Sequence, residues 1–376
     1  MTRSAVAVLA GLLGLLACTS RSGREPARSC EDLVELALPD TRITAATSIP
    51  PGGFSPETPS PPFVPASLYQ SLPAFCRVSA TLTPTRDSEI RFELWLPAEG
   101  WNGKLMGTGN GGAQGAIFHY AMAGPLQRGY AVANTDTGHS GEGSDWSFAV
   151  GHPEKLTDYA WRAVHEMTLR SKSIVARRYG RAPRLSYWTG CSSGGRQGLM
   201  EAQRFPEDYD GIIAGAPANA WVPLMAHTLW VRQAMARGLP PEKLALLHEA
   251  AIAACDGADG VLDRVVGDPA RCDFDPVRLR CAGAAAPGCL DAAQVEAARA
   301  IYRGARNPRT GEPILPGPEP TSEPEWAAYA GAFPIGANWF RDLVFADPHW
   351  DPLSFDFDRD VERARQLEGG SIAATD

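Results

Sequence analysis

One short turn restricts the possible folds of this chain more than any other part of its sequence: Gly190-Cys191-Ser192-Ser193-Gly194-Gly195. It lies between an apolar run, Leu185–Thr189, that predicts a strand and a stretch, Gly195–Arg204, that predicts a helix. The pattern G-x-S-x-G in this context is typical of a nucleophile elbow, in which flanking glycines permit a tight, strained turn. Ser192 is therefore the candidate nucleophile, and the amide of Ser193 is a candidate oxyanion donor. The alternative is a turn that merely connects two elements.

Segments of strand character alternate with helical segments on both sides of this turn. Apolar or alternating stretches predict further strands at Phe75–Leu82, Ile90–Leu96, Lys104–Gly107, Tyr130–Asn134 and Gly211–Ala214. Helical spacing predicts one long helix at Leu156–Tyr179. This alternation indicates an α/β domain with a mainly parallel sheet. Residues 45–66 are rich in Pro, Ser and Thr and predict an extended surface loop. From about Trp221 the alternation stops, and residues 222–345 predict a separate inserted or appended domain.

A second glycine-rich segment, Gly107-Thr108-Gly109-Asn110-Gly111-Gly112, follows a predicted strand and has two interpretations. It matches G-x-G-x-x-G, the fingerprint of a dinucleotide-binding loop. It also matches the loop that supplies a second oxyanion-binding amide in esterases, here from Gly111 or Gly112. We favour the esterase loop, because Gly124-Pro125 would interrupt the helix that a dinucleotide loop requires and because reducing cofactors are uncommon outside the cell.

The first 18 residues have the pattern of an export signal. Arg3 is followed by a run of small and apolar residues, Ala5–Ala17, that is too short to span a bilayer. The run ends in Leu15-Leu16-Ala17-Cys18, which resembles the lipobox cleaved before a lipid-modified cysteine. We expect an exported protein, secreted or anchored through Cys18 as a periplasmic or outer-membrane lipoprotein. The alternative is ordinary cleavage with loss of this cysteine, and residues 19–29 predict a tether in either case.

Export makes disulfide bonds the expected state of the remaining seven cysteines. Short spacing suggests the pairs Cys255–Cys272 and Cys281–Cys289. A third pair, Cys30–Cys76, then leaves Cys191 alone. A zinc site is the alternative, but no C-x-x-C pair and no cysteine–histidine cluster supports it.

The charged residues argue against a nucleic-acid partner. The chain of 376 residues has 35 basic and 43 acidic residues, a formal net charge of −8, and no dense block of Lys and Arg.

The elbow and its surroundings resemble the tannase and feruloyl esterase family. The similar segments are Tyr187–Gly198, Arg204–Pro206, Asp210–Ala218, Trp101–Lys104, Asn134–His139 and the glycine-rich loop. The resemblance extends from about Cys30 to Asp376 and implies an α/β-hydrolase core with a large inserted lid. The first part of the core is then residues 30–221, the lid 222–345, and 346–376 return toward the core. It also implies hydrolysis of esters of phenolic or other aromatic acids, since the family includes tannases, feruloyl esterases and mono-hydroxyethyl terephthalate hydrolase.

The resemblance implies a structural calcium ion in the lid as cofactor. Its ligands would be the side chains of Asp256, Asp259 and Asp263 and the carbonyl groups of Val261 and Val265. Hard oxygen donors gathered in one loop suit Ca²⁺ better than a transition metal. The alternative is an acidic turn whose aspartates cap local amides.

The sequence leaves open which residues serve as the acid and the histidine of the catalytic triad. In an α/β-hydrolase the acid and the histidine follow the serine, and the histidines after Ser192 are His227, His248 and His349. The resemblance implies that the triad Asp and His, and a cysteine partner for Cys191, come after the equivalent of Asp376. We therefore expect a truncated chain that lacks them. The leading hypothesis is an exported serine ester hydrolase for small aromatic esters. The alternative is a non-catalytic, calcium-braced binding protein of the same fold, and the oligomeric state is open.

Overall fold

The computed structural model describes residues 27–57, 60–65, 67–284, 286–368 and 372–373. The predicted signal region with Cys18, and most of the predicted tether, lie outside the described residues. In the described part of the chain, no helix is both long and apolar enough to cross a membrane.

A seven-stranded sheet forms the centre of the molecule, in the order β1-β2-β3-β5-β4-β6-β7. The strands are β1 Thr41–Ile49, β2 Phe75–Leu82, β3 Ile90–Pro97, β4 Lys104–Thr108, β5 Ala131–Thr135, β6 Leu185–Cys191 and β7 Gly211–Gly215. Strands β5, β4, β6 and β7 run parallel, and β1, β2 and β3 extend the sheet as antiparallel neighbours. Because parallel strands end at the same edge, the loops after β4, β5 and β6 meet there.

Helices pack on both faces of the sheet, and the apolar residues of its central strand β5 are buried on both sides. In β5, Ala131 and Ala133 pack in the same cluster as Met167 and Ile174 of α4, whereas Val132 packs on the other face with α2. Alternate side chains of a strand point to opposite faces, so a strand covered on both sides buries the side chains of both faces. The sequence prediction of these strands is therefore accurate to within one or two residues.

The predicted loop over residues 45–66 is wrong at its start, because residues 45–49 belong to β1. This strand lies at the edge of the sheet and pairs only with β2. Most of its side chains are exposed or half-buried, and Thr, Ala and Ser replace the apolar alternation that marks an inner strand.

Both helices predicted in the first part of the chain, Leu156–Tyr179 and Gly195–Arg204, are present, and further helices are found among the described residues. Together they are α1 Ser67–Gln70, α2 His119–Gln127, α3 Pro153–Thr157, α4 Ala163–Tyr179, α5 Ser193–Arg204, α6 Trp221–Ala236, α7 Leu244–Cys255, α8 Ala292–Arg303, α9 Ile335–Trp339 and α10 Arg359–Glu368. A π-helical turn, Asp158–Arg162, joins α3 to α4, and Gly180 ends α4 with a φ of 68°. The expected interruption at Gly124-Pro125 is wrong: α2 continues through both, since a proline near the end of a short helix removes few hydrogen bonds.

Residues 222–345, which we call the lid segment, are mainly helical and include one small sheet of β8 Ala305–Arg306 and β9 Pro313–Leu315. One apolar cluster lies within the segment and contains Leu247, Ile301 and Trp326. A second cluster joins the segment to the core and contains Trp146, Tyr159, Trp221 and Phe340. The lid segment therefore has a core of its own and is also anchored to the sheet domain.

The described residues form three disulfide bonds, and all three were predicted: Cys255–Cys272 and Cys281–Cys289 from their short spacing, and Cys30–Cys76 as the pair that remained. The first links the start of the described chain to β2, and the other two lie in the lid segment. Bonds of this kind are typical of proteins outside the reducing cytosol.

Candidate functional site

Ser192 occupies the sharp turn between β6 and α5. Its backbone has φ 59° and ψ −119°, a conformation that costs a non-glycine residue free energy. The turn is held by backbone hydrogen bonds from the Ser192 amide to the carbonyl of Gly215 and from the amide of Ala218 to the carbonyl of Ser192, at 3.0 and 3.1 Å. Because the residue is exposed and lies at the carboxyl end of β6, its hydroxyl is accessible at the edge where the loops meet.

The glycines around the turn are required by close backbone approach. A Cβ atom on Gly109 would overlap the Cα atom of Gly194 and lie 3.1 Å from that of Gly190. A Cβ atom on Gly190 would lie 2.8 Å from the Cα atom of Gly194. The glycine-rich loop after β4 and the elbow therefore touch backbone to backbone, with no room for a side chain between them.

Hydrogen bonds fix the glycine-rich loop against the first turn of α5. The Gly194 amide donates to the Asn110 carbonyl at 2.8 Å, and the Gln197 side chain bonds both the amide and the side chain of Asn110, each at 3.1 Å. The hydroxyl groups of Ser193 and Tyr159 both donate to the Gly112 carbonyl at 2.8 Å. The loop position is thus set by α5 and by the helix that carries Tyr159.

The amides predicted to bind an oxyanion are not used by this network. Among the described residues, neither Gly111 nor Gly112 donates its amide to another group, and the Ser193 amide begins α5. The first amides of a helix have no partner within the helix. The dinucleotide interpretation fits this loop poorly, because α2 begins only at His119 rather than at the last glycine.

None of the described histidines forms a hydrogen bond with Ser192. His139 is buried, bonds the carbonyl of Ala113 at 2.8 Å, and burial lowers its pKa. His227 is buried in α6, where burial lowers its pKa to about 4. His248 bonds Glu323, and His349 is exposed.

Cys191, the residue before the serine, is a free and exposed thiol. It ends β6 and pairs in register with Gly215 of β7. Of the cysteines in the described residues, it is the one without a disulfide partner.

The acidic loop of the lid segment does not gather its carboxylates at one point. Within the described residues, the side-chain oxygens of Asp256, Asp259 and Asp263 do not all lie within 4.8 Å of one another. Each accepts a nearby amide instead: Asp259 from Val261, Asp263 from Val265, and Asp256 from Asp263. In this arrangement the three aspartates cap local turns, and calcium binding stays a prediction.

Two residues of the site were missed by sequence reasoning. Tyr159 lies inside the π-helical turn, where nothing in the sequence indicates that its hydroxyl reaches the glycine-rich loop. Arg196 is fully buried behind the elbow, donates to the carbonyls of Ala160 and Tyr159, and lies over the rings of Tyr159 and Trp221. The sequence shows an arginine four residues after the serine, but it does not indicate the partners of this arginine, because they belong to elements that are distant in the chain.

Comparison with known proteins shows what the chain is similar to. A family model described as "Tannase and feruloyl esterase" matches residues 76–352. An uncharacterised esterase of Xanthomonas campestris pv. campestris is 39% identical, over 95% of this chain and 63% of that protein. A probable feruloyl esterase B-2 of Aspergillus flavus is 35% identical, over 79% of this chain and 58% of that protein.

The folds agree as well. The crystal structure of feruloyl esterase B from Aspergillus oryzae superimposes with a TM-score of 0.84 at 27% identity, covering 92% of this chain and 70% of that one. The chain spans about three fifths of the length of the curated relatives described above.

Proposed function

Because the chain belongs to the tannase and feruloyl esterase family and has its α/β-hydrolase fold, we propose that it is a serine hydrolase of carboxylic esters. The substrates are esters of phenolic or other aromatic acids, as the names of the similar feruloyl esterases suggest. The observation that carries the proposal is the strained, exposed Ser192 at the carboxyl end of β6.

In the proposed reaction the Ser192 oxygen attacks the ester carbonyl and forms a tetrahedral intermediate. The amides of Ser193 and of Gly111 or Gly112 donate hydrogen bonds to its negatively charged oxygen. The alcohol leaves, and water then releases the aromatic acid from the acyl-enzyme. A general base takes the serine proton, and since no described histidine is bonded to Ser192, that role is assigned to none of them.

The rigid loop contacts support this assignment of the oxyanion site. Stabilisation of a developing charge is greatest when the donors are already in place and need not reorganise. The bonds of Tyr159 and Ser193 to the Gly112 carbonyl, and of Gln197 to Asn110, hold the loop amides before substrate binds.

We also propose that the protein acts outside the cytoplasm. Its three disulfide bonds support this. The predicted signal region and lipidation at Cys18 are tested by mass spectrometry of the mature amino terminus.

The test of the function is labelling by a fluorophosphonate probe, with protein expressed from its complete reading frame. We expect labelling of the native protein and none of Ser192→Ala, together with hydrolysis of methyl ferulate or methyl gallate that depends on the same serine. The matched control is Ser173→Ala, since Ser173 is exposed on α4 and bonds only the carbonyl of Leu169. Absence of Ser192-dependent labelling and turnover in a folded protein would favour the non-catalytic binding protein instead.

A further inference from the structure

A group of ionisable side chains lies away from Ser192, where α5 ends. It consists of His165 on α4, Glu201 on α5 and Asp208 in the turn between α5 and β7. One ligand atom from each, an imidazole nitrogen and two carboxylate oxygens, all lie within 4.8 Å of one another. Since Glu201 is eight residues after Ser193, the group lies about 12 Å along the helix axis from the elbow.

The group is buried, and one member has no partner. Glu201 is 1% exposed, and among the described residues neither of its carboxylate oxygens has a hydrogen-bond donor. Asp208 is 4% exposed, accepts from Nδ1 of His165 at 2.6 Å, and has Nζ of Lys172 at 3.9 Å. The carboxyl group of Glu201 therefore lies beside that of Asp208 with no hydrogen-bond donor from the described residues on either of its oxygens.

Such an arrangement is unfavourable for two carboxylates on their own. Burying two charged groups side by side without hydrogen-bond donors is unfavourable, because the desolvation of each charge is not offset. A divalent cation would satisfy both carboxylates at once.

The third ligand is already fixed in position. The ring of His165 stacks on Phe205 with centroids 3.8 Å apart, which limits its rotation. Its side chain is 20% exposed and that of Lys172 is 27% exposed, so the group can be reached from solvent on this side.

We propose that His165, Glu201 and Asp208 form a binding site for a divalent transition-metal ion. One imidazole and two carboxylates form a mixed nitrogen and oxygen donor set that suits Zn²⁺, with a fourth position for water. Because the ligands come from α4, α5 and the turn before β7, the ion is structural and ties together the elements behind the elbow.

The experiment uses protein freed of metal by a chelator and titrated with ZnCl₂ at pH 8. Calorimetry is expected to show one Zn²⁺ ion bound with high affinity per chain. We expect Tm to rise by about 5 °C at a free Zn²⁺ concentration about one hundred times the dissociation constant.

The informative variant is Glu201→Gln, which keeps the shape of the side chain and lets an amide donate to Asp208. It should fold with an unchanged or higher metal-free Tm, while its Zn²⁺ affinity falls about a hundredfold or more. Two controls should bind Zn²⁺ like the native protein: Glu166→Gln, whose carboxylate on α4 pairs with Arg170, and Asp263→Asn in the acidic loop of the lid segment. The second control separates this site from the predicted calcium loop.

The proposal is overturned if the native protein binds no stoichiometric Zn²⁺, or if Glu201→Gln binds it equally well. A preference for Ca²⁺ or Mg²⁺ over Zn²⁺ would also overturn it. The two carboxyl groups would then simply share a proton. Because hydrolysis depends on Ser192 and not on this group, either result leaves the proposed esterase activity to its own test.

Discussion

The elbow region and the lid segment are stabilised in different ways. Around Ser192 the backbones of β6, α5 and the glycine-rich loop touch directly, and hydrogen bonds between main-chain groups and from nearby side chains set their positions. The lid segment is instead stabilised by aromatic packing, by two disulfide bonds and by aspartates that accept hydrogen bonds from nearby amides. The first region therefore has no room for a side chain at its contact glycines, whereas the second depends on side-chain packing and covalent links.

The largest effect is expected at the serine itself. Ser192→Ala and Ser192→Gly should both lower kcat about 10⁴-fold or more, because the nucleophile is gone. They should differ in stability, since a φ of 59° suits glycine: the glycine variant should be more stable than the alanine variant by about 1 kcal/mol. Hydrolysis of methyl ferulate and urea unfolding measure the two effects, and equal stability of the variants would contradict the argument from strain.

The close backbone contact predicts a large loss of stability from a single methyl group. Gly109→Ala places a Cβ atom against the Cα atoms of Gly194 and Gly190, and backbone cannot move aside as a side chain can. We expect a loss of about 3 kcal/mol or more in the free energy of unfolding. Gly124→Ala is the matched control, because this glycine lies in α2 with nothing within 4 Å of the added atom, and it should be stabilising by about 0.5 to 1 kcal/mol.

In the lid segment the corresponding test is the removal of a covalent link. Replacing Cys255 and Cys272 together by serine opens a loop of 17 residues and should cost about 3 kcal/mol. The same change at Cys281 and Cys289, which are 8 residues apart, should cost about 2.5 kcal/mol. Thermal unfolding measures both. Ester turnover at 25 °C should be unaffected. Loss of turnover in a folded variant would show that the elbow depends on the disulfide bonds of the lid segment.

Acid should weaken the lid segment through His227. Burial lowers the pKa of this histidine to about 4, below the value of about 6.5 in an unfolded chain. Between these values the unfolded chain binds the proton more strongly, so stability is present at neutral pH and is lost as the pH falls. At pH 5 the loss should be about 2 kcal/mol relative to pH 7.5.

The variant His227→Gln should flatten this part of the pH profile in urea unfolding. His349→Gln, which changes an exposed histidine, should leave the profile as it is. An unchanged slope in His227→Gln would mean that another group causes the acid sensitivity.

The sequence predicted the elbow region well for a physical reason. Strands covered on both faces carry short runs of apolar residues, and turns without room for a side chain require glycine, so both are visible in the sequence itself. The edge strand β1 lacked that signal because it is half in water. The contact of Tyr159 with Gly112 and the group around Glu201 were not predictable, because each depends on how separate helices pack.

The smallest expected effect tests whether that unforeseen contact matters for the reaction. Tyr159→Phe keeps the ring in its cluster with Trp146 and Trp221 and removes the hydroxyl, which donates to the Gly112 carbonyl at 2.8 Å and lies 3.5 Å from the Ser193 hydroxyl. One neutral hydrogen bond contributes about 1 kcal/mol, so a loop held less firmly should lower kcat about fivefold with little change in KM. Ser193 still donates to the same carbonyl, which keeps the loop from opening. If kcat is unchanged while the free energy of unfolding falls, the tyrosine stabilises the fold and does not position the oxyanion loop.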